Sequence, residues 1–189
     1  MFVTSAVKLH LMIVRINKET IWLTGIPCSG KTTIANELKE ELVFCGYNVI
    51  TLDGDEVRDK LKFDIGFSDE DRIKHLERVS SLCQMLNEKG LVIIASFVSP
   101  LEKMRKIIAK NIKHLKIIYV DCSVEECIRR DVKGMYKKSL RGEIKNFTGL
   151  QAPYEPPVSP YMVVNTEKYT LEECVKQIMA KLLEKQGEI

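Results

Sequence analysis

The stretch Thr20-Ile21-Trp22-Leu23-Thr24-Gly25-Ile26-Pro27-Cys28-Ser29-Gly30-Lys31-Thr32-Thr33 decides the fold. Residues 25–32 match G-x-x-x-x-G-K-[ST] without deviation. Thr20–Thr24 before them reads as a strand, and Thr33–Phe44 after them as a helix with Ile34, Leu38 and Leu42 on one face. Strand, glycine loop and helix in that order form a phosphate-binding turn. Its glycines let successive backbone N–H groups turn inward around phosphate oxygens, and the helix N-terminus adds partial positive charge. Gly25, Ile26, Pro27, Cys28, Ser29, Gly30, Lys31, Thr32 and Thr33 are therefore the expected contacts of a triphosphate. Lys31 would reach its terminal phosphates, and the Thr32 hydroxyl is the expected Mg²⁺ ligand.

Outward from the loop, apolar β-branched runs alternate with helical patterns. Strands are expected at Tyr47–Leu52, Leu91–Ser96, Lys116–Asp121 and Met162–Val164. Helices are expected at Asp69–Glu88, Leu101–Ile112, from Val124 to Arg130, and at Thr170–Leu183. Ser68 and Ser123 read as N-caps. Such alternation predicts an α/β fold of the P-loop NTPase kind, a five-stranded parallel sheet with helices on both faces. The 189 residues suffice for one domain, with 1–18 as an N-terminal extension. Residues 131–160 lack periodicity. Between Arg129 and Lys145 they carry seven basic residues against two acidic ones, which predicts a basic lid over phosphates.

Bulk properties exclude other classes. A net charge of +3 is too small to make nucleic acid or membrane the main partner. No run approaches the roughly 20 apolar residues of a membrane span. Six scattered cysteines without C-x-x-C pairs suggest buried thiols in a reducing cytoplasm. Asn17-Lys18-Glu19-Thr20 lacks the Asp of a guanine-reading N-K-x-D. The third strand ends in Ala95-Ser96, not in the carboxylate expected near Mg²⁺, and Asp53-Gly54-Asp55 is the obvious alternative source.

The ordered set Asp53-Gly54-Asp55 with Arg58, Gly66-Phe67-Ser68 with Asp71-Arg72, Ser99-Pro100, Lys133-Gly134-Met135-Tyr136-Lys137-Lys138, Phe147-Thr148-Gly149, Pro153-Tyr154-Glu155 and Asn165-Thr166 resembles the adenylylsulfate kinase family from residue 20 onward. The resemblance implies a Mg²⁺-dependent transfer of the ATP γ-phosphoryl to the 3′-hydroxyl of adenosine 5′-phosphosulfate, in sulfate assimilation. It implies nucleotide substrates as partners and leaves a homodimer open. It makes Asp55, Lys31 and Ser99 the catalytic candidates. Asp55, Arg58, Phe67, Arg72, His75, Val98, Ser99, Lys138 and Phe147 would surround the acceptor, with Phe67 and Phe147 on either side of its base.

Chemistry supports several of these roles. Arg58 and Arg72 are forked donors suited to a phosphosulfate. Asp55 could accept or orient the hydroxyl proton. The family resemblance also gives Ser99 a phosphoserine role. No adjacent base is visible to activate that hydroxyl, so the residues favour direct in-line transfer, with Ser99 lining the acceptor pocket through its backbone.

Two departures fall on the acceptor side. The family continues Asn-Ile-Arg-Arg where this chain has His75-Leu76-Glu77-Arg78, and it favours an aromatic and Arg where this chain has Leu101-Glu102. At 100° per residue His75 shares an edge with Arg72, while Glu77 points away. A kinase of the same architecture with a related acceptor, such as a cytidine diphosphoramidate, is the alternative. A nucleotide-binding module without catalysis is a third reading, opposed by the presence of Lys31, Thr32, Asp55 and Arg58 together.

Overall fold

In a computed structural model, residues 18–61, 66 and 68–184 are described. Residues 1–17 of the expected extension, and Phe67, lie outside them. The strands are β1 (Thr20–Thr24), β2 (Val49–Asp53), β3 (Val92–Ser96), β4 (Leu115–Asp121) and β5 (Met162–Asn165). They form one sheet in the order β2-β3-β1-β4-β5, every pairing parallel. The helices among the described residues are α1 (Lys31–Phe44), α2 (Gly54–Leu61), α3 (Asp69–Glu88), α4 (Glu102–Asn111), α5 (Val124–Arg130), α6 (Met135–Leu140) and α7 (Leu171–Leu183).

β1 lies at the centre and is buried throughout, as is β3 beside it. That burial explains their continuous apolar sequences, since a strand covered on both faces has no solvent side to mark. Ile21 and Leu23 of β1 face α1 and α7, packing with Ile34, Leu38, Leu42, Ile178 and Leu182. Trp22 faces the other way, into a second cluster built on α3 and α4 with Val79, Cys83, Met104 and Ile108. Two apolar layers thus hold one strand, and that strand delivers the glycine loop at its carboxyl end.

The expected boundaries hold to within two residues, except in two places. α2 was not expected. Its eight residues, Gly-Asp-Glu-Val-Arg-Asp-Lys-Leu, offer only Val57 and Leu61 as apolar positions, too few for the spacing to be read as a helix. α6 interrupts the segment read as irregular. Its N-cap is Gly134 at positive φ, and its first-turn amides of Tyr136 and Lys137 donate to the Asp131 carboxylate at 3.0 Å each. The serine caps form as expected, Ser68 accepting from the Asp71 amide and Ser123 from that of Glu126. Thr170 and Glu173 form a reciprocal capping box on α7.

One buried amide ties the far end of the sheet together. Asn87, near the C-terminus of α3, accepts from the Thr20 hydroxyl at 2.7 Å and donates to the Glu19 and Leu91 carbonyls at 3.0 Å each. Removing it leaves buried backbone and hydroxyl groups without partners. Asn87→Ala is expected to destabilise the protein by about 3 kcal/mol, lowering the melting temperature by roughly 6–12 °C. Calorimetry would show this, and a shift under 2 °C would contradict the account.

Candidate active site

The glycine loop curls as its sequence predicts, with Gly25 and Gly30 at positive φ. Gly25 is required by a close approach: a Cβ there would lie 2.5 Å from the Val120 carbonyl oxygen of β4. Lys31 is buried at the base of the loop and donates to the Gly25 and Ile26 carbonyls at 3.0 and 2.8 Å. Burial pulls its ammonium down to about 8, against the opposing pull of Cys127, Cys28, Asp53 and Asp55.

Thr32, at the start of α1, donates its hydroxyl to the Asp53 carboxylate at 2.7 Å. Asp53 ends β2, and its register partner on β3 is Ser96. A carboxylate thus stands at the end of the strand beside the third, level with Ser96. Thr32 was the one metal ligand expected by name, with a carboxylate expected from Asp53-Gly54-Asp55; of those two acids, Asp53 is the one that meets Thr32. The other oxygen of Asp53 accepts the Asp55 amide at 3.0 Å, fixing the turn into α2. Thr32, Asp53, Asp55, Ser96 and Lys133 line one cavity of about 480 Å³. The Ser96 hydroxyl is buried there without a hydrogen-bond partner. Hydroxyl and carboxylate oxygens together suit a hard cation held largely by phosphates and water, so the residues fit Mg²⁺. No group of three or more His, Cys, Asp or Glu side chains able to hold a metal exists among the described residues.

Asp55 itself is exposed and pairs with Lys133 at 2.6 Å. That contact holds the Lys133 ammonium above its ordinary range. It joins α2 to the basic segment across 78 residues of sequence.

The other expected residues occupy a neighbouring region. Arg58 donates to the Gly66 carbonyl at 3.0 Å. Arg72 donates to the Thr148 hydroxyl at 3.0 Å and to the Asn146 carbonyl at 3.4 Å, bringing α3 to the Phe-Thr-Gly turn. Phe147 is half-buried, edge-on to Tyr136 with ring centroids 4.9 Å apart. Lys138 is exposed on α6.

His75 is buried, its ring tilted against Phe97 at 5.9 Å, and Phe97 stacks on Trp22 at 4.9 Å. Burial, reinforced by the Arg58 and Arg78 cations, pulls the imidazole down to about 4. Glu77 is exposed, as its helical phase requires.

The Val98 carbonyl accepts the Thr24 hydroxyl at 2.7 Å. Ser99 is buried at φ +41, and its hydroxyl oxygen accepts the Trp22 indole N–H at 3.0 Å. Arg105 holds the turn from beneath. It is fully buried, donates to the Ser99 carbonyl at 2.8 Å and pairs with Glu102 at 2.7 Å.

Several side chains in the site escaped sequence reasoning. Arg130 donates to Thr166 through its hydroxyl and carbonyl, and the Thr166 hydroxyl donates to the Ser29 carbonyl at 2.8 Å. The Tyr136 hydroxyl donates to the Pro27 carbonyl at 3.0 Å. The motifs containing Thr166 and Tyr136 were visible, but a hydrogen bond to a loop carbonyl over 100 residues away leaves no local signal.

Comparisons with known proteins identify the family. A family model described as adenylylsulphate kinase matches residues 17–165. A probable adenylyl-sulfate kinase of Aeropyrum pernix is 45% identical over 162 residues, 84% of this chain and 88% of that protein. An adenylyl-sulfate kinase of Clostridium kluyveri is 43% identical over 163 residues, 84% of this chain and 80% of the other. Among solved structures, the Mycobacterium tuberculosis APS kinase in complex with AMPPNP and APS has a TM-score of 0.83 and 32% identity, covering 87% of this chain and 96% of that one. The chain belongs to the adenylylsulphate kinase family.

Proposed function

We propose that this protein transfers the γ-phosphoryl group of ATP to the 3′-hydroxyl of adenosine 5′-phosphosulfate. The observation that carries the reading is the single cavity shared by Thr32, Asp53, Asp55 and Lys133 at the mouth of the glycine loop. A triphosphate in the loop would end beside metal-type oxygens and the Lys133-paired carboxylate of Asp55, as phosphoryl transfer by positioning and charge stabilisation requires. The names of the relatives supply the acceptor. They favour adenosine phosphosulfate over a cytidine diphosphoramidate.

Lys31 leaves the Gly25 and Ile26 carbonyls and pairs with the donor phosphates. Thr32 and Asp53 would hold Mg²⁺, which supplies charge neutralisation at the β- and γ-phosphates. Asp55 orients the acceptor hydroxyl and takes its proton, releasing Lys133 as it does so. Arg58, Arg72 and Phe147, with Phe67 outside the described residues, form the acceptor side. Residues 131–160 act as the lid, with Lys133 and Lys138 over the phosphates, excluding water that would otherwise hydrolyse ATP. A cytoplasmic location fits the use of ATP and the six free cysteines.

Ser99 belongs to the wall of the acceptor pocket. Its oxygen is engaged by the Trp22 indole, and no carboxylate or imidazole hydrogen-bonds to it among the described residues, which supports direct transfer without a phosphoserine.

Three outcomes test these assignments. With ATP and Mg²⁺, adenosine phosphosulfate should turn over in a panel that includes cytidine diphosphoramidate, shikimate and gluconate. No turnover with the first alongside good turnover with another would sink the reading. Asp55→Ala should lower kcat by about 10²–10⁴-fold, while Ser99→Ala should remain active; steady-state kinetics with correctly folded variants would reveal the reverse pattern if a phosphoserine were formed. His75 should stay neutral through the working range, so its ring-proton NMR shifts should be flat from pH 8 down to about 5 and move only near pH 4. A midpoint above pH 6 would contradict its burial against Phe97.

A further inference from the structure

Tyr136 occupies a junction that neither packing nor capping explains fully. It is the only described residue that touches the glycine loop with its hydroxyl and the Phe-Thr-Gly turn with its ring. The side chain is completely buried, in a small cluster with Ile26, Cys122 and Cys127 against which Phe147 packs. Its backbone is pinned too, since its amide donates to the buried Asp131 carboxylate. A phenylalanine would fill the same volume, so the hydroxyl has a separate task. That task is the 3.0 Å bond to the carbonyl of Pro27.

Pro27 follows directly on Gly25 and Ile26, whose carbonyls hold Lys31. A triphosphate in the loop draws the Lys31 ammonium away from those two carbonyls, so the peptides next to Pro27 are the ones whose bonding changes. The Tyr136 ring lies edge-on to Phe147, and Gly149 of the same turn packs on Ile26, with the Tyr136 hydroxyl close by. Thr148, between them, is held by Arg72. A change at residues 25–27 therefore reaches the aromatic turn through one rigid phenol.

We propose that Tyr136 is a positioning residue that couples triphosphate occupancy of the glycine loop to the orientation of Phe147, so that the acceptor binds more tightly once the donor is in place. The proposal rests on the functional reading that gives Phe147 to the acceptor base. Tyr136→Phe keeps the ring and deletes the hydroxyl that donates to the Pro27 carbonyl and lies beside the Cys127 thiol.

The experiment is calorimetric titration of adenosine phosphosulfate into the full-length protein, with and without AMP-PNP and Mg²⁺. Wild type should bind the acceptor roughly fivefold or more tightly when the donor analogue is present. In Tyr136→Phe that ratio should fall to within about twofold of unity. A variant that keeps the wild-type ratio, or a wild type with no ratio to lose, overturns the coupling while leaving the proposed activity intact. A wild type that binds no adenosine phosphosulfate under either condition refutes the activity itself, and the coupling with it. Hydrogen exchange on wild type gives a measurement independent of the variant's folding. AMP-PNP and Mg²⁺ alone should slow exchange across residues 147–152, and unchanged exchange there overturns the proposal.

Discussion

A loop that turns its N–H groups inward around an anion must turn carbonyls outward, and the rest of this site depends on where those carbonyls go. Buried backbone acceptors need partners. Gly25 and Ile26 find theirs in Lys31, Pro27 in the hydroxyl of Tyr136, and Ser29 in that of Thr166. Each donor arrives from a different part of the chain: the first turn of α1, the basic segment, and the turn after β5. The anion cradle is thereby also the hub on which the surrounding elements are hung. The close approach of Gly25 to the β4 carbonyl of Val120 sets the hub's distance from the sheet.

Electrostatics around that hub follow from the same geometry. The loop lysine is buried, so its charge is costly until phosphates arrive, which is why burial lowers its proton affinity. On the other side of the cavity, Asp53 presents a carboxylate at the end of β2, where β3 ends in Ser96. Parallel pairing puts Asp53 level with Ser96, so either strand could present an oxygen to the same volume.

A second device stands after β3, a left-handed turn at Ser99 held by buried groups. The Trp22 indole donates to its hydroxyl and Arg105 to its carbonyl, with Glu102 neutralising the guanidinium. Glu102, one of the positions where this chain departs from its family's pattern, therefore has a structural role. His75, the other departure, is an apolar-facing neutral imidazole beside Phe97, so the change from an amide adds no charge to the acceptor region.

Local sequence was enough for the glycine loop, the parallel sheet, the long α3 with its serine cap and the family, because each leaves a signal within a few residues or in an ordered run of motifs. α2 escaped because a short charged helix with two apolar positions repeats its spacing only once, and α6 because its six residues start at a left-handed glycine within an otherwise irregular segment. What only the tertiary structure decided is which groups meet: Thr32 with Asp53, Lys133 with Asp55, Arg72 with Thr148, Tyr136 with Pro27. Those pairs are separated by 21 to 109 residues. Residue type states what each group can bond to, but the distance between two such groups is set by strand order and helix packing, which no local pattern encodes.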